Sequence, residues 1–401
     1  MDSASQVRVT GPLGPYAGGF REELVGMGYS PRSAQTHLLF MNRLSSWLEV
    51  AGLDPGGLTA VRIEEFLSAN STPRQRFPKS SRGAEPLLNF LRREGVVPQA
   101  PVAVLTAADV LVEEFRLYLV GERGLGAGTI TNYLHTAGLF LQSVSCVERG
   151  DLARLGGPQV QAFILAESAR RSIASTKTLV TGLRSLLRFF HVAGITEAPL
   201  VGAVPTVSGW TGTWLPRGVD ASSVARLLNS CDRATTQGCR DYAVLVVLSR
   251  LGMRIGEVAD LEVGDVDWRS GELMVRGKGK RLERLPLPVD VGEALADYVQ
   301  RARPPSKHRA LFLRVLAPHR GVTTGALIMI VQSACRRAGI APVAAHRLRH
   351  SVATDLLGAG AGLAEIGQLL RHRSMASTAI YASVDTVALR ELARPWPGSR
   401  S

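Results

Sequence analysis

Residues 199–216 divide the chain into two differently patterned halves, and this division limits the folds open to it. The stretch is punctuated by Pro199, Gly202, Pro205, Gly209, Gly212 and Pro216, residues that interrupt both helices and sheets. Before it, apolar residues recur almost throughout at helical spacing. After it, helical runs are interrupted once, where Leu273–Arg276 and Arg284–Leu287 flank Gly277-Lys278-Gly279-Lys280 in the pattern of a β-hairpin. No alternation of strands and helices suggests a parallel sheet. The expected fold class is mainly α with a small antiparallel β-sheet.

The first half reads as a divergent duplication. Ser30-Pro31 opens a helix bearing Leu38, Met41, Leu44, Trp47 and Leu48; shorter helices follow around 63–67 and 84–93. From Val112 the same order recurs: a helix ending at Gly124, then 126–144, 160–166 and 178–192. Residues 170–195 and residues 79–96 are the clearest internal match. The expected organisation is a helical domain at 1–105, a second at 106–205, a linker at 206–216 and a third domain at 217–401. In the last, a cap at Asp220 or Ser222, an apolar helix at 242–251 and helices near 290–302, 322–338, 345–357 and 363–370 are predicted.

Charge sharpens the functional question. Of the net +13, residues 1–105 carry +2, residues 106–205 carry +1 and residues 206–401 carry +10. A basic excess concentrated in this way points to a polyanionic partner. Only five of the 47 basic residues are lysines, and two of them, Lys278 and Lys280, sit in the hairpin turn. Lysine can release a proton where arginine cannot, which suggests proton transfer there. The four cysteines show no metal-ligand spacing, and reduced thiols point to a cytoplasmic protein. No segment reads as a membrane span or secretory leader, so no membrane association is expected.

Five pieces of the second half carry chemistry. They are Arg254 with Glu257 after an apolar helix, Lys278 in the hairpin, His346-Arg347-Leu348-Arg349-His350, Leu370-Arg371-His372, and Tyr381. Helical spacing puts His346, Arg349 and His350 on one face, with Leu348, Val352 and Leu356 inward. Lys278 follows Arg254 by 24 residues, His372 follows Arg349 by 23, and Tyr381 follows His372 by nine. In order and spacing the set resembles the tyrosine recombinases: phage integrases and the Xer-type and Cre-type enzymes.

That resemblance covers residues 216–392 closely and 107–205 loosely, where it implies a helical SAM-like core-binding domain. It implies site-specific cutting and rejoining of double-stranded DNA, at inverted-repeat sites, by a homotetrameric synapse of bacterial, phage or mobile-element origin. Tyr381 would be the nucleophile of a 3′-phosphotyrosine intermediate. Arg254, Arg349 and His372 would bind the phosphate, His346 would take the tyrosine proton, and Lys278 would protonate the leaving 5′ oxygen. Neither metal nor ATP nor any other cofactor would be needed. Glu257 would orient Arg254 or the hairpin, and His350 would be structural. Lys177, Arg184 and Arg188 form a basic stripe and, with Lys280, are candidate DNA contacts. The apolar residues of the segment 387–392 would dock on a neighbouring subunit. Readings with related chemistry are a type IB topoisomerase or a telomere resolvase. A reading of another class is a DNA-binding protein without catalysis.

Overall fold

The computed structural model describes residues 7–69, 81–98, 106–145, 148–207, 218–277, 282–371 and 378. The chain divides into two compact units, one of Met1–Ala100 with Trp214–Ser401, the other of Pro101–Thr213.

The second unit holds α5 (Ala107–Gly121), α6 (Ala127–Ser143), α7 (Gly157–Ser168) and α8 (Ile173–Val192), numbered so that the four earlier helices of the chain are α1–α4. Thr106 and Asp109 start α5 with a reciprocal cap: the Asp109 N–H donates to Thr106 Oγ1 (3.1 Å) and the Thr106 N–H to Asp109 Oδ2 (2.9 Å). Phe115, Phe140, Leu183, Leu187 and Phe190 are wholly buried in its core. At Gly182 a Cβ would lie 3.1 Å from Thr136 Oγ1 and 3.2 Å from Tyr133 Cδ1, so glycine lets α6 and α8 approach closely.

The first unit begins with α1 (Ala17–Gly26), α2 (Pro31–Val50), α3 (Ala60–Ala69) and α4 (Ser81–Arg93). Ser30 caps α2 by accepting the Ser33 N–H, with Pro31 in the first turn. Phe20, Leu24, Met41, Leu44 and Leu91 are fully buried in a core of this segment's own.

The unit continues with α9 (Ala221–Asn229), α10 (Thr236–Arg250), α11 (Ile255–Ala259), strands β1 (Val266–Asp267), β2 (Glu272–Arg276) and β3 (Leu282–Pro286), then α12 (Val289–Asp297), α13 (Thr324–Ala338), α14 (Ala345–Gly358) and α15 (Leu363–Leu369). Asp220 is the α9 cap, accepting the Ser223 N–H at 2.8 Å. Helix α10 is central: Ala243 through Leu248 are all buried, as expected of a helix surrounded by others. The antiparallel sheet runs β1-β2-β3, pairing Leu273 with Leu285 and Val275 with Glu283. The mainly helical class with a small antiparallel sheet is what the sequence led us to expect. Strand β1 was not anticipated, because two residues carry no periodicity. The helix expected over 290–302 is α-helical only to Asp297; Tyr298–Ala302 is a π-helical turn, in which the Tyr298 hydroxyl accepts the Leu313 N–H at 3.0 Å.

Among the described residues no helix is long and apolar enough to cross a membrane. Cys231, Cys239 and Cys335 are free thiols in the interior.

Candidate active site

The site starts where α10 stops. Gly252 follows with φ +55°, a conformation that favours glycine, and a Cβ there would lie 2.8 Å from Leu370 Cδ2, so a larger residue would also have to displace that side chain. Two residues on, Arg254 is the N-cap of α11 in extended conformation. Glu257 closes the turn. Its Oε2 accepts the Arg254 backbone N–H (2.9 Å) and its Oε1 accepts Arg254 Nη1 (2.5 Å). Glu257, expected to orient Arg254 or the hairpin, thus contacts both the backbone and the side chain of Arg254. Arg254 Nη2 donates to the Arg371 carbonyl at 3.1 Å, and the side chain is still 41% exposed, which leaves it accessible to a ligand.

Glu257 has a second cationic neighbour. Arg371 Nη2 donates to Glu257 Oε2 at 2.7 Å, with both side chains buried. Burial alone would push the Glu257 carboxyl upward; the charge of Arg371 and the hydrogen bonds from Arg254 and Arg371 outweigh it and hold the carboxyl below the usual range. Arg371 sits just past α15 with φ +55°, a left-handed conformation uncommon for a residue with a side chain.

The third element is α14. Arg349 is buried, donating through Nη1 to the Gly252 carbonyl (2.6 Å) and through Nη2 to the Leu370 carbonyl. This differs from the helical-wheel expectation, which put Arg349 beside His346 and His350 on a face opposite Leu348. Arg349 instead turns inward with Leu348, because two backbone carbonyls from other elements satisfy its guanidinium. His346 is exposed and His350 half-buried, their rings edge to face at 5.6 Å. Burial lowers the His350 pKa, and the charges of His346, Arg349 and Arg347 lower it further. The helix is anchored beneath the site: Arg347 Nη2 donates to the Gly218 carbonyl (3.0 Å), and Ser351 Oγ accepts the Val219 N–H (2.6 Å).

Arg254, Glu257 and Arg349 therefore meet around the Leu370–Arg371 backbone, at the end of a short chain of charge-assisted hydrogen bonds. Two guanidinium groups, those of Arg254 and Arg371, contact Glu257, and Glu283 lies 3.8 Å from Arg371 Nε; with Arg349 the arginines outnumber the carboxylates, so the cluster is suited to an anionic ligand. Lys278, Lys280, His372 and Tyr381 lie outside the described residues, as does the segment 387–392. Thr378, three positions before Tyr381 in sequence, is fully buried, with its Oγ1 against Gly367.

On α8 of the second unit, Arg188 is exposed and Lys177 half-buried. Arg184 donates through Nη2 to the carbonyls of Val204 (3.2 Å) and Pro205 (3.0 Å), so this member of the stripe also fastens the chain that follows the helix. The residue that sequence reasoning missed is Arg371. It was quoted only as the neighbour of His372, since neither its backbone conformation nor its buried carboxylate partner leaves a trace in local pattern.

Comparison with known proteins identifies the family. The model of the phage integrase family matches residues 217–387. The Sinorhizobium fredii protein named "Putative integrase/recombinase y4rA" is 39% identical over 396 residues, covering 97% of this chain and 95% of that one. Tyrosine recombinase XerD of Mycobacterium tuberculosis is 32% identical over 304 residues, 70% of this chain and 94% of its own. Among solved structures, XerH site-specific recombinase bound to palindromic difH substrate, in a post-cleavage complex, superposes with a TM-score of 0.54 at 20% identity, over 84% of this chain and 96% of that one.

Proposed function

Because the chain belongs to the phage integrase family, and is thus a tyrosine-type site-specific DNA recombinase, we propose that it cuts and rejoins DNA through a 3′-phosphotyrosine at Tyr381. The observation that carries this reading is the meeting of Arg254 and Arg349 at consecutive carbonyls immediately before His372 in sequence. Breaking a phosphodiester spreads negative charge over two non-bridging oxygens, and guanidinium groups fixed in advance stabilise that charge. Arg254 holds a neutral carbonyl with Nη2; a phosphate oxygen is a stronger, charged acceptor and displaces it favourably. Arg349 has both Nη groups on carbonyls, so phosphate binding by Arg349 exchanges at least one of them.

His372 adds a third donor in this scheme. His346, exposed on α14, takes the proton of Tyr381, whose phenol otherwise ionises near pH 10. Lys278 returns a proton to the departing 5′ oxygen. The phosphotyrosine ester preserves the bond energy for rejoining, so the scheme calls for neither ATP nor a metal. Residues 217–401 form the catalytic domain, 106–205 the core-binding domain with Lys177, Arg184 and Arg188 toward DNA, and 206–216 the linker. Lys280 in the hairpin is the fourth proposed DNA contact, His350 is structural, and 1–105 is a further helical domain. The partner is double-stranded DNA with inverted-repeat sites, held in a tetramer; the XerH structure was itself solved on its difH substrate.

The test is covalent trapping. Binding sites are first selected from random-sequence duplexes, then rebuilt with a nick that traps the cleaved state. The parent protein should yield a protein–DNA band that survives denaturation, and Tyr381→Phe should bind the same duplex without yielding it. A surviving band from Tyr381→Phe would remove Tyr381 as nucleophile.

A further inference from the structure

We propose that Arg371 is a positioning residue that locks strand β3 of the lysine-bearing hairpin to the Arg254 turn; the proposal rests on the recombinase reading above. One guanidinium touches three parts of the site. Its Nη2 meets Glu257 Oε2 at 2.7 Å, and Glu257 in turn holds both the backbone and the side chain of Arg254. Its Nη1 donates to the Leu369 carbonyl (3.0 Å) at the end of α15. Its Nε faces Glu283 Oε2 on β3 across 3.8 Å.

Two features set this contact apart from an ordinary ion pair. Arg371 Nε and Glu283 Oε2 are both buried and, among the described residues, neither has a hydrogen-bond partner. They face each other less than 1 Å beyond hydrogen-bonding distance, so a small approach of β3 would satisfy two buried polar atoms at once, one on the interior Arg371 and one on the partly exposed Glu283. The backbone supplies the second feature. Arg371 adopts φ +55°, where glycine would be unstrained, and an arginine persists in such a conformation only if its surroundings hold it there. The conformation turns the side chain into the interior while its carbonyl accepts Arg254 Nη2 and that of Leu370 accepts Arg349. Closure of β3 onto Arg371 would thus tie β3, which follows Lys278 in sequence, to the turn that holds both arginines.

Arg371→Gly separates the two features, since it keeps the left-handed backbone and removes the guanidinium. Glu283→Gln removes only the β3 charge and decides the matter if the first variant does not fold. Each is compared with the parent by hydrogen exchange of Glu272–Arg276 and Leu282–Pro286, by affinity for the selected duplex, and by single-turnover cleavage. Cleavage is measured on a phosphodiester and on a 5′-bridging phosphorothiolate, whose sulfur departs without a proton. We expect faster exchange in β3, unchanged affinity, phosphodiester cleavage slowed about 10- to 100-fold, and a smaller defect on the phosphorothiolate. Unaltered β3 exchange, or equal defects on the two substrates, would overturn the proposal. So would affinity and cleavage falling together, the sign of a merely destabilised fold. A parent that forms no covalent adduct overturns the recombinase chemistry itself; a parent that forms one while both variants cleave at its rate overturns the role of Arg371 alone.

Discussion

Arg254 and Arg349, 95 residues apart in sequence, donate hydrogen bonds to neighbouring carbonyls, Arg254 to that of Arg371 and Arg349 to that of Leu370. Arg349 also holds the Gly252 carbonyl, two residues before Arg254. The two arginines differ in setting, one half-exposed and one buried, and this difference makes their variants separable.

Arg254→Lys should leave stability nearly unchanged and lose most cleavage, because a lysine offers a point charge in place of a planar fork. Arg349→Lys should also cost about 2–4 kcal/mol of folding stability, since one ammonium cannot serve both carbonyls from a buried position. Urea unfolding and single-turnover cleavage measure the two effects. Equal unfolding midpoints for Arg349→Lys and the parent would contradict the structural half of this statement.

Gly252→Ala should destabilise the protein by roughly 1–3 kcal/mol, combining a positive φ with a Cβ pressed on Leu370 and Val352. The same substitution displaces the carbonyl that Arg349 holds, so cleavage should fall more than DNA affinity. Cleavage and affinity measured in parallel check the split; equal losses in both would argue against it.

Acid should weaken the fold in two separate windows. The His350 pKa is lowered below its ordinary value of 6.5, so the folded state binds this proton less readily than the unfolded chain does. Its contribution is present above pH 6.5 and is lost as pH falls through the folded value. Glu257, lowered below 4.5, contributes above that pH and loses its contribution as pH falls through its own folded value. Stability measured against pH should therefore lose the upper step in His350→Gln and the lower step in Glu257→Gln. Superimposable pH profiles for parent and variants would show the shifts to be absent.

Lys278→Ala should cleave an ordinary phosphodiester poorly and a 5′-bridging phosphorothiolate nearly as well as the parent, because sulfur leaves without a general acid. Comparison of the two single-turnover rates tests the assignment. Equal impairment on both would pass the role to Lys280.

Features set by neighbouring residues were readable before the fold was known. Helix starts at Ser30 and Asp220 followed from short side chains that accept nearby backbone N–H groups, and both caps are present. The helical runs followed from apolar spacing, and the β2–β3 pair from turn residues between short apolar runs. Arg254, Glu257, His346 and Arg349 were legible only together, through the resemblance of their order and spacing to the tyrosine recombinases. Which charged groups are interior depends on contacts between separate elements. Periodicity records where apolar side chains lie; it cannot report that carbonyls of Gly252 and Leu370 wait to receive Arg349 and so permit its burial. Nor could local pattern place Arg371 in a left-handed turn, inside the fold, between Glu257 and Glu283. A buried charge is tolerated by its partners, and here those partners come from other elements, the Gly252 carbonyl 97 residues from Arg349 and Glu257 114 residues from Arg371.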